Sequence, residues 1–94
     1  MIRLNAFFEL KDNISPEQVK SLAKELVDKS RKDNGNVSYD LFQSATNSQI
    51  MMFCETWKDD AVLEVHSKAP HFTTIVPQIE ALTKHGLKLE RFEF

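Results

Sequence analysis

The stretch that decides the fold is residues 37–57, which read VSYDLFQSATNSQIMMFCETW. Residues 37–46 alternate in polarity and carry Val, Tyr and Phe, which is typical of a β-strand. Asn47 and Ser48 form a short polar turn, and residues 49–57 read as the second strand of a hairpin. Apolar side chains stand on both faces of that second strand, so we expect both faces to be covered.

The N-terminal part of the chain predicts one strand and one helix. Residues 2–10 alternate, with apolar side chains at the even positions and Asn5 among the odd ones. Ser15 is a suitable N-cap, and Pro16 suits the first position of a helix. The helix that follows carries apolar residues three and four apart. We expect Gly35 to end it, because glycine accepts the left-handed conformation that closes a helix.

The C-terminal part predicts two helices and a final strand. Asp59 can cap a short helix. Pro70 can open a second helix, which Gly86 would end, and residues 87–94 read as the last strand. Pro77 lies inside the second helix, where a proline removes one backbone hydrogen bond. We therefore expect that helix to be kinked or to start late.

These elements run in the order β-α-β-β-α-β, with the second helix in two pieces. This is the ferredoxin-like topology, an α+β fold in which helices cover one face of a four-stranded antiparallel sheet. The 94 residues are expected to form a single domain spanning 1–94. The other face of the sheet still carries apolar side chains. Packing two such sheets face to face would cover them, so the pattern predicts a homodimer.

Composition excludes several classes of partner. The 12 basic and 14 acidic residues are well mixed and give a net charge of −2, which offers no basic surface for nucleic acid or membranes. No apolar run is long enough to span a bilayer, and the N-terminus is not a signal peptide. Cys54 is the single cysteine and cannot form an internal disulfide. These features together predict a cytoplasmic protein.

Common catalytic signatures are missing from the sequence. There is no glycine-rich phosphate loop, no zinc-ligand spacing and no strand-turn-helix serine motif. The candidates that remain lie in the stretch CETWKDDAVLEVHSKAPHF, namely Glu55, Trp57, His66 and His71. Glu55 and Trp57 are two residues apart on a strand and therefore share a face. No bound metal is expected, because the ligands that a metal needs do not stand at suitable spacing.

Each candidate has a structural alternative to its functional role. His66 is either a hydrogen-bonded core histidine or a group that exchanges protons with a substrate. Glu55 is either paired with a base such as Arg91 or has a raised pKa beside aromatic side chains. The other candidates either serve packing, capping or internal hydrogen bonds or contact a ligand in a pocket; they are Asn5, Tyr39, Trp57 and His71.

The chain resembles the antibiotic-biosynthesis-monooxygenase family of dimeric α+β barrels. The resemblance rests on SRKDNGNVSYDLFQ, on CETW and on KDDAVLEVHSKAPHF, and it covers nearly the whole sequence. The family pattern is an acidic-Gly-Asn turn after a helix, a strand with Tyr, Glu-x-Trp, a short helix ending in His and a second His opening the next helix. The matching residues are Gly35, Asn36, Tyr39, Glu55, Trp57, His66 and His71.

The resemblance implies a ligand pocket between sheet and helices, and several activities. Some members oxidise polycyclic phenols to quinones with molecular oxygen and no metal or flavin; others degrade haem or process phosphorylated autoinducer-2. The haem branch has an Asn in its first strand, a Trp where this chain has His66 and a ligating His where it has Val76. Only Asn5 is kept, so haem degradation is not expected.

Two classes of function therefore stay open. The first is a cofactor-free enzyme, either a monooxygenase acting on a small phenolic or quinol compound or an isomerase acting on a small carbonyl signal. In it His66 would be catalytic, and the other candidates would bind the substrate. The second is a non-catalytic dimer that binds a small ligand or serves a stress response on the same fold.

Overall fold

The computed structural model describes residues 1–94 and contains four strands and three helices. In chain order these are β1 (Ile2–Glu9), α1 (Pro16–Ser30), β2 (Asn36–Gln43), β3 (Ile50–Trp57), α2 (Asp60–Ser67), α3 (Pro70–Glu80) and β4 (Lys88–Glu93). The predicted β-α-β-β-α-β order is confirmed, with the second helix divided into α2 and α3.

The strands form one antiparallel sheet in the order β2-β3-β1-β4. This is the predicted ferredoxin-like α+β arrangement, with β3 and β1 at its centre. The register pairs Ala6 of β1 with Phe53 of β3, and Tyr39 of β2 with Glu55 of β3. No helix of the structure has both the length and the apolar character needed to cross a membrane.

The core lies between the helices and one face of the sheet. On β1 the even-numbered side chains are on this face, and Ile2, Ala6 and Phe8 are buried. On β3 the odd-numbered side chains are on the same face, and Phe53 is 2% exposed. Phe8 and Phe53 pack with their ring centroids 5.7 Å apart. Burying a side chain of this size contributes about 2–3 kcal/mol, so alternation along β1 and β3 fixes which face meets the helices.

The predicted helix starts are confirmed, and two predicted ends are wrong. Ser15 accepts a hydrogen bond from the amide of Glu17, and Asp59 accepts one from the amide of Val62. α1 ends at Ser30, well before Gly35, because the chain after Ser30 tightens into turns with bonds between residues three apart. α3 likewise ends at Glu80 rather than at Gly86.

Pro77 does not delay the start of its helix. α3 begins at Pro70 and continues through Pro77 to Glu80. The buried residues Ile75, Val76 and Ile79 lie on both sides of the proline in the chain. Packing of these side chains against the sheet offsets the backbone hydrogen bond that a proline cannot donate.

Gly35 has a different role from the helix end predicted for it. Its φ is +81°, in the region that favours glycine, and a Cβ built at this position would lie 2.5 Å from a methyl carbon of Val62. Its carbonyl accepts a hydrogen bond from the amide of Lys58 at 2.9 Å. The loop after α1 therefore presses directly against α2, and only glycine fits there.

The opposite face of the sheet has no helix on it. Phe7, Phe42 and Phe92 stand on this face with 37%, 52% and 51% of their surface exposed. Beside them Arg3 donates hydrogen bonds to Thr56 and to the sulfur of Cys54. We call this surface, defined by Arg3, Asn5, Phe7, Phe42, Met52, Cys54 and Phe92, the open sheet face.

Candidate active site

A cavity of about 330 Å³ lies between the sheet and the three helices. Fifteen residues line it, and 11 of them are hydrophobic. Three buried lining residues carry a polar group: Tyr39 from β2, which is counted among the hydrophobic residues, Glu55 from β3 and His66 from α2. A largely apolar cavity with a few convergent polar groups is the usual form of a small-ligand site.

His66 is buried at the end of α2, with 1% of its surface exposed. Its Nδ1 lies 2.7 Å from Oδ2 of Asp33, while its Nε2 is buried and has no hydrogen-bond partner. Because a carboxylate only accepts hydrogen bonds, Nδ1 carries the proton in this contact and Nε2 is left with its lone pair. The arrangement provides an oriented, unpaired base on the cavity wall.

Asp33 is the residue that the sequence patterns missed. It lies in the turn after α1, where its amide bonds to the carbonyl of Ser30 and its own carbonyl accepts from the amide of Asn36. Oδ2 of Asp33 also accepts a hydrogen bond from Nε2 of His71, at 2.8 Å. One carboxylate oxygen therefore joins the two histidines.

Asp33, His66 and His71 also form a donor set of the kind that divalent metals use. Their ligand atoms all lie within 4.8 Å of one another. The spacing of ligands in the sequence could not reveal this set, because Asp33 is brought in from a distant part of the chain. The absence of a bound metal stays a prediction. In the structure both histidines hydrogen-bond to Asp33.

Trp57 contacts both His66 and the carboxyl group of Glu55. Its Nε1 donates a hydrogen bond of 2.8 Å to Oε1 of Glu55. Its indole packs on the imidazole of His66, with centroids 4.3 Å apart and planes at 35°. Trp57 itself is completely buried and does not line the cavity. It supports the two polar groups from behind.

Burial shifts the pKa values of all three buried polar groups. Burial raises the pKa of Glu55 to about 7, against the hydrogen bonds from Trp57 and Tyr39, which lower it. Burial also raises the pKa of Tyr39, and the neighbouring Glu55 carboxylate adds to that effect. Burial lowers the pKa of His66 below its ordinary value, although Asp33 acts in the opposite direction. The alternative in which Glu55 pairs with Arg91 is wrong, because the Arg91 guanidinium donates to Asp60 and Glu93 instead.

The sequence candidates thus divide into three groups. Tyr39, Glu55 and His66 line the cavity. Trp57 and His71 lie just behind them and hold them through packing and through Asp33. The expectation that Asn5 reaches the pocket is wrong: its neighbours Leu4 and Ala6 line the cavity, so the alternation of β1 turns Asn5 to the open sheet face. There its Oδ1 is buried without a hydrogen-bond partner.

The side chains of the His66 and Glu55 networks come from one part of the chain. Asp33, Tyr39, Glu55, His66 and His71 all lie within residues 33–71. The apolar wall of the cavity comes also from β1, α1, α3 and the region of β4, through residues such as Leu4, Leu26, Val76, Ile79, Leu87 and Leu89. Much of the apolar wall is thus supplied by segments other than the one that carries the base and its carboxylate.

Fold and site together define a class: a ferredoxin-like α+β protein with an apolar cavity beside a carboxylate-oriented histidine. Comparison with known proteins shows the family. A family model described as antibiotic biosynthesis monooxygenase matches residues 1–78. The chain belongs to this family, as the sequence resemblance predicted.

Individual relatives agree with this assignment. The Bacillus subtilis (strain 168) protein "Putative monooxygenase YcnE" is 33% identical over 93 residues, which cover 99% of this chain and 97% of that protein. A crystal structure of a conserved protein from Bacteroides thetaiotaomicron, described as a possible oxidoreductase, is 41% identical, with a TM-score of 0.90 over 99% of this chain and 96% of the other. A crystal structure of an antibiotic biosynthesis monooxygenase is 30% identical, with a TM-score of 0.92 over 100% and 98%.

Proposed function

We propose that this protein is a cofactor-independent monooxygenase that acts on a small, uncharged phenolic or quinol-type compound in the cavity, with His66 as the catalytic base. One observation carries the proposal: Nδ1 of His66 is bonded to Asp33, while Nε2 is buried and unpaired in a residue of the cavity wall. An imidazole held in this tautomer by a carboxylate is the arrangement that activates histidine bases in many enzymes.

In the proposed reaction, Nε2 of His66 takes a proton from the substrate, and Asp33 stabilises the imidazolium that forms. Because burial lowers the pKa of His66, the free base dominates at neutral pH. Tyr39, Glu55 and the apolar wall hold the substrate, with Trp57 and His71 as supports. Asn5 has no part in this site.

The chemistry balances without an added reductant. When a ring methylene conjugated with a carbonyl, as in an anthrone or the keto form of a phenol, is oxidised to a second carbonyl, one atom of O₂ enters the product. The other atom leaves as water with the two methylene hydrogens. The carbon supplies all four electrons that the two oxygen atoms accept, and removal of the first proton gives a carbanion that is electron-rich enough to react with O₂. Such a step requires only a base, a binding site and oxygen.

The lining of the cavity supports an uncharged substrate. No Lys or Arg lines it, and Glu55 and Glu80 are both acidic. A phosphorylated ligand needs cationic or multiple amide donors, which these walls do not offer. The cavity therefore argues against a phosphorylated carbonyl signal such as phosphorylated autoinducer-2 as the substrate. Its volume of about 330 Å³ is at the small end of ligand sites.

We also propose that the protein is a homodimer through the open sheet face. Support comes from the exposed Phe7, Phe42 and Phe92, which form an apolar surface on a side of the sheet that no helix covers. Light scattering should give the mass of two chains. Phe42→Glu should shift it toward one chain, whereas Val65→Glu, on the 70% exposed Val65 of α2, should not. A monomeric wild type at micromolar concentration would contradict this proposal.

Oxygen consumption tests the enzymatic proposal. A panel of hydroquinones and anthrones would be supplied to the wild type in an oxygen electrode, with autoinducer-2 phosphate isomerisation followed alongside. His66→Asn should lower turnover by roughly 10²–10⁴-fold with the fold retained. His85→Asn, at an exposed histidine outside the cavity, is the matched control and should have no effect.

Melting temperature and turnover would be measured on the same preparations. If His66→Asn lowers the melting temperature and leaves turnover per molecule unchanged, His66 is a core residue and the catalytic assignment fails. If no compound of the panel consumes oxygen, the non-catalytic ligand-binding alternative takes the place of the monooxygenase.

A further inference from the structure

We propose that Glu55 is a second catalytic group, whose protonated carboxyl donates a hydrogen bond to the substrate oxygen on which negative charge develops. The inference rests on the proposed function, because the charge develops when His66 removes a proton. It also narrows the substrate class to uncharged ketones or phenols whose acidic hydrogen is conjugated to an oxygen atom.

Geometry places Glu55 where such a donor is needed. It lies on the central strand β3, is 6% exposed and lines the same cavity as His66. Trp57 donates to Oε1 and so fixes the orientation of the carboxyl, with the hydroxyl of Tyr39 beside it. The same indole packs against the imidazole of His66, so a single rigid side chain holds both groups in register. Preorganised donors of this kind stabilise developing charge most strongly where water is excluded.

No cation is available to keep Glu55 ionised. The strand neighbours facing it are Leu4 from β1 and Tyr39 from β2. Arg91 stands on the same side of β4 but is committed to Asp60 and Glu93, at 2.7 Å from each. A carboxylate desolvated without a positive partner is costly, so the neutral acid is favoured.

The other titratable groups at the cavity are compatible with this state. They are Tyr39 from β2, His66 from α2 and Glu80 from α3, and none of them is a fixed positive charge. Burial raises the pKa of Glu55 to about 7 and lowers the pKa of His66. From slightly acidic pH up to neutrality the acid is therefore protonated while the base is free. The two groups hold complementary protonation states in the same range, which suits an acid–base pair.

Binding of a non-reacting ketone tests the inference without requiring turnover. Equilibrium dialysis would measure the Kd of 1-tetralone and of tetralin, the same ring system without the carbonyl, at about pH 6 and about pH 8.5. In the wild type, ionisation of Glu55 removes its hydrogen-bond donor and leaves a carboxylate that repels the carbonyl oxygen of 1-tetralone. The affinity for 1-tetralone relative to tetralin should therefore fall about tenfold between the two pH values.

Glu55→Gln supplies the decisive comparison. The amide still accepts from Trp57 and can still donate to a carbonyl, but it does not titrate. The relative affinity should therefore become independent of pH. Glu64→Gln, at an exposed carboxylate of α2 paired with Lys68, should behave as the wild type. A ratio that does not change with pH in the wild type, or changes equally in Glu55→Gln, would show the inference to be wrong.

Turnover separates this inference from the proposed function. With an active substrate, the rate should rise with pH as His66 loses its proton and fall above about pH 7 as Glu55 ionises. Glu55→Gln should remove the descending limb only. If His66→Asn abolishes activity but Glu55→Gln keeps the full wild-type profile, the base is confirmed and the role of Glu55 is refuted. If His66→Asn stays active, the proposed function itself fails.

Discussion

Asp33→Asn is the change that most directly probes the network around His66. Oδ2 of Asp33 accepts from Nδ1 of His66 at 2.7 Å and from Nε2 of His71 at 2.8 Å. Hydrogen bonds to a charged group contribute about 1.5–3 kcal/mol each, and those between neutral groups about 0.5–1.5 kcal/mol. If the asparagine oxygen takes the place of Oδ2, both bonds lose their charge assistance. We therefore expect the free energy of unfolding to fall by about 2–3 kcal/mol at pH 7.5.

The destabilisation caused by Asp33→Asn should be larger at acidic pH. His66 has a lowered pKa in the folded protein, so it is harder to protonate there than in the unfolded chain. Its contribution to stability is therefore fully present above its unfolded pKa of about 6.5 and is lost as the pH falls. Asp33 opposes the lowering of that pKa, so without the carboxylate the pKa falls further. The difference between variant and wild type should be larger at pH 5.5 than at pH 7.5.

Urea denaturation followed by the fluorescence of Trp57, the single tryptophan, would measure these differences at a fixed protein concentration. Asp28→Asn is the matched control, because Asp28 is exposed and pairs only with Lys24 across one helical turn. It should leave the free energy of unfolding nearly unchanged at both pH values. A similarly small effect of Asp33→Asn at both pH values would refute the idea that one carboxylate organises the two histidines.

Three further predictions follow from contacts described above. Gly35→Ala should lower the free energy of unfolding by about 2–4 kcal/mol, since the new side chain combines a positive φ with a clash against Val62. In the same denaturation assay, Gly86→Ala should lower it by only about 1 kcal/mol, because Gly86 has a φ of +75° but open space around it. Burial raises the pKa of Glu55 from the ordinary 4.5 to about 7, so its contribution to stability should be fully present below pH 4.5 and be lost, by about 3 kcal/mol in total, as the pH rises from there through 7. Glu55→Gln should abolish that loss, and equal stability curves for the two proteins would contradict the burial argument. His71→Asn should raise the pKa of His66, because the charge of His71 lowers it, and an NMR titration of the imidazole signal shows whether the shift has that sign.

Sequence patterns were sufficient for the fold because every element carries its own periodicity or cap. The even-numbered apolar positions of β1 are the ones that face the helices, and Ser15, Asp59 and Pro70 mark helix starts where they were predicted. Helix ends were less predictable, because a glycine after a helix can serve a later contact. Gly35 is required by its approach to Val62, which no local pattern reveals.

The candidate site was predicted only in part, because local patterns locate some of its residues and distant contacts bring in the others. Glu55, Tyr39 and His66 follow from strand alternation and from the family resemblance, and all three line the cavity. Asp33 could not be found from spacing, because its partners His66 and His71 lie 33 and 38 residues away in the chain. Asn5 became a candidate because a buried amide among apolar neighbours needs hydrogen-bond partners. Strand alternation along β1 predicts its position correctly, because it places Asn5 on the face opposite to Leu4 and Ala6.

Because much of the apolar wall comes from outside residues 33–71, which carry Asp33 and His66, part of the ligand-binding surface can change without altering the reactive centre. Replacing a buried wall residue such as Ile79 by a smaller one enlarges the cavity but costs about 2–5 kcal/mol of stability. Leu89 also lines the cavity, yet it stands on the edge strand β4 and is 67% exposed, so its replacement costs far less. Lineages of this fold that acquire new ligands should therefore diverge first at Leu89, while Asp33 and His66 stay as they are.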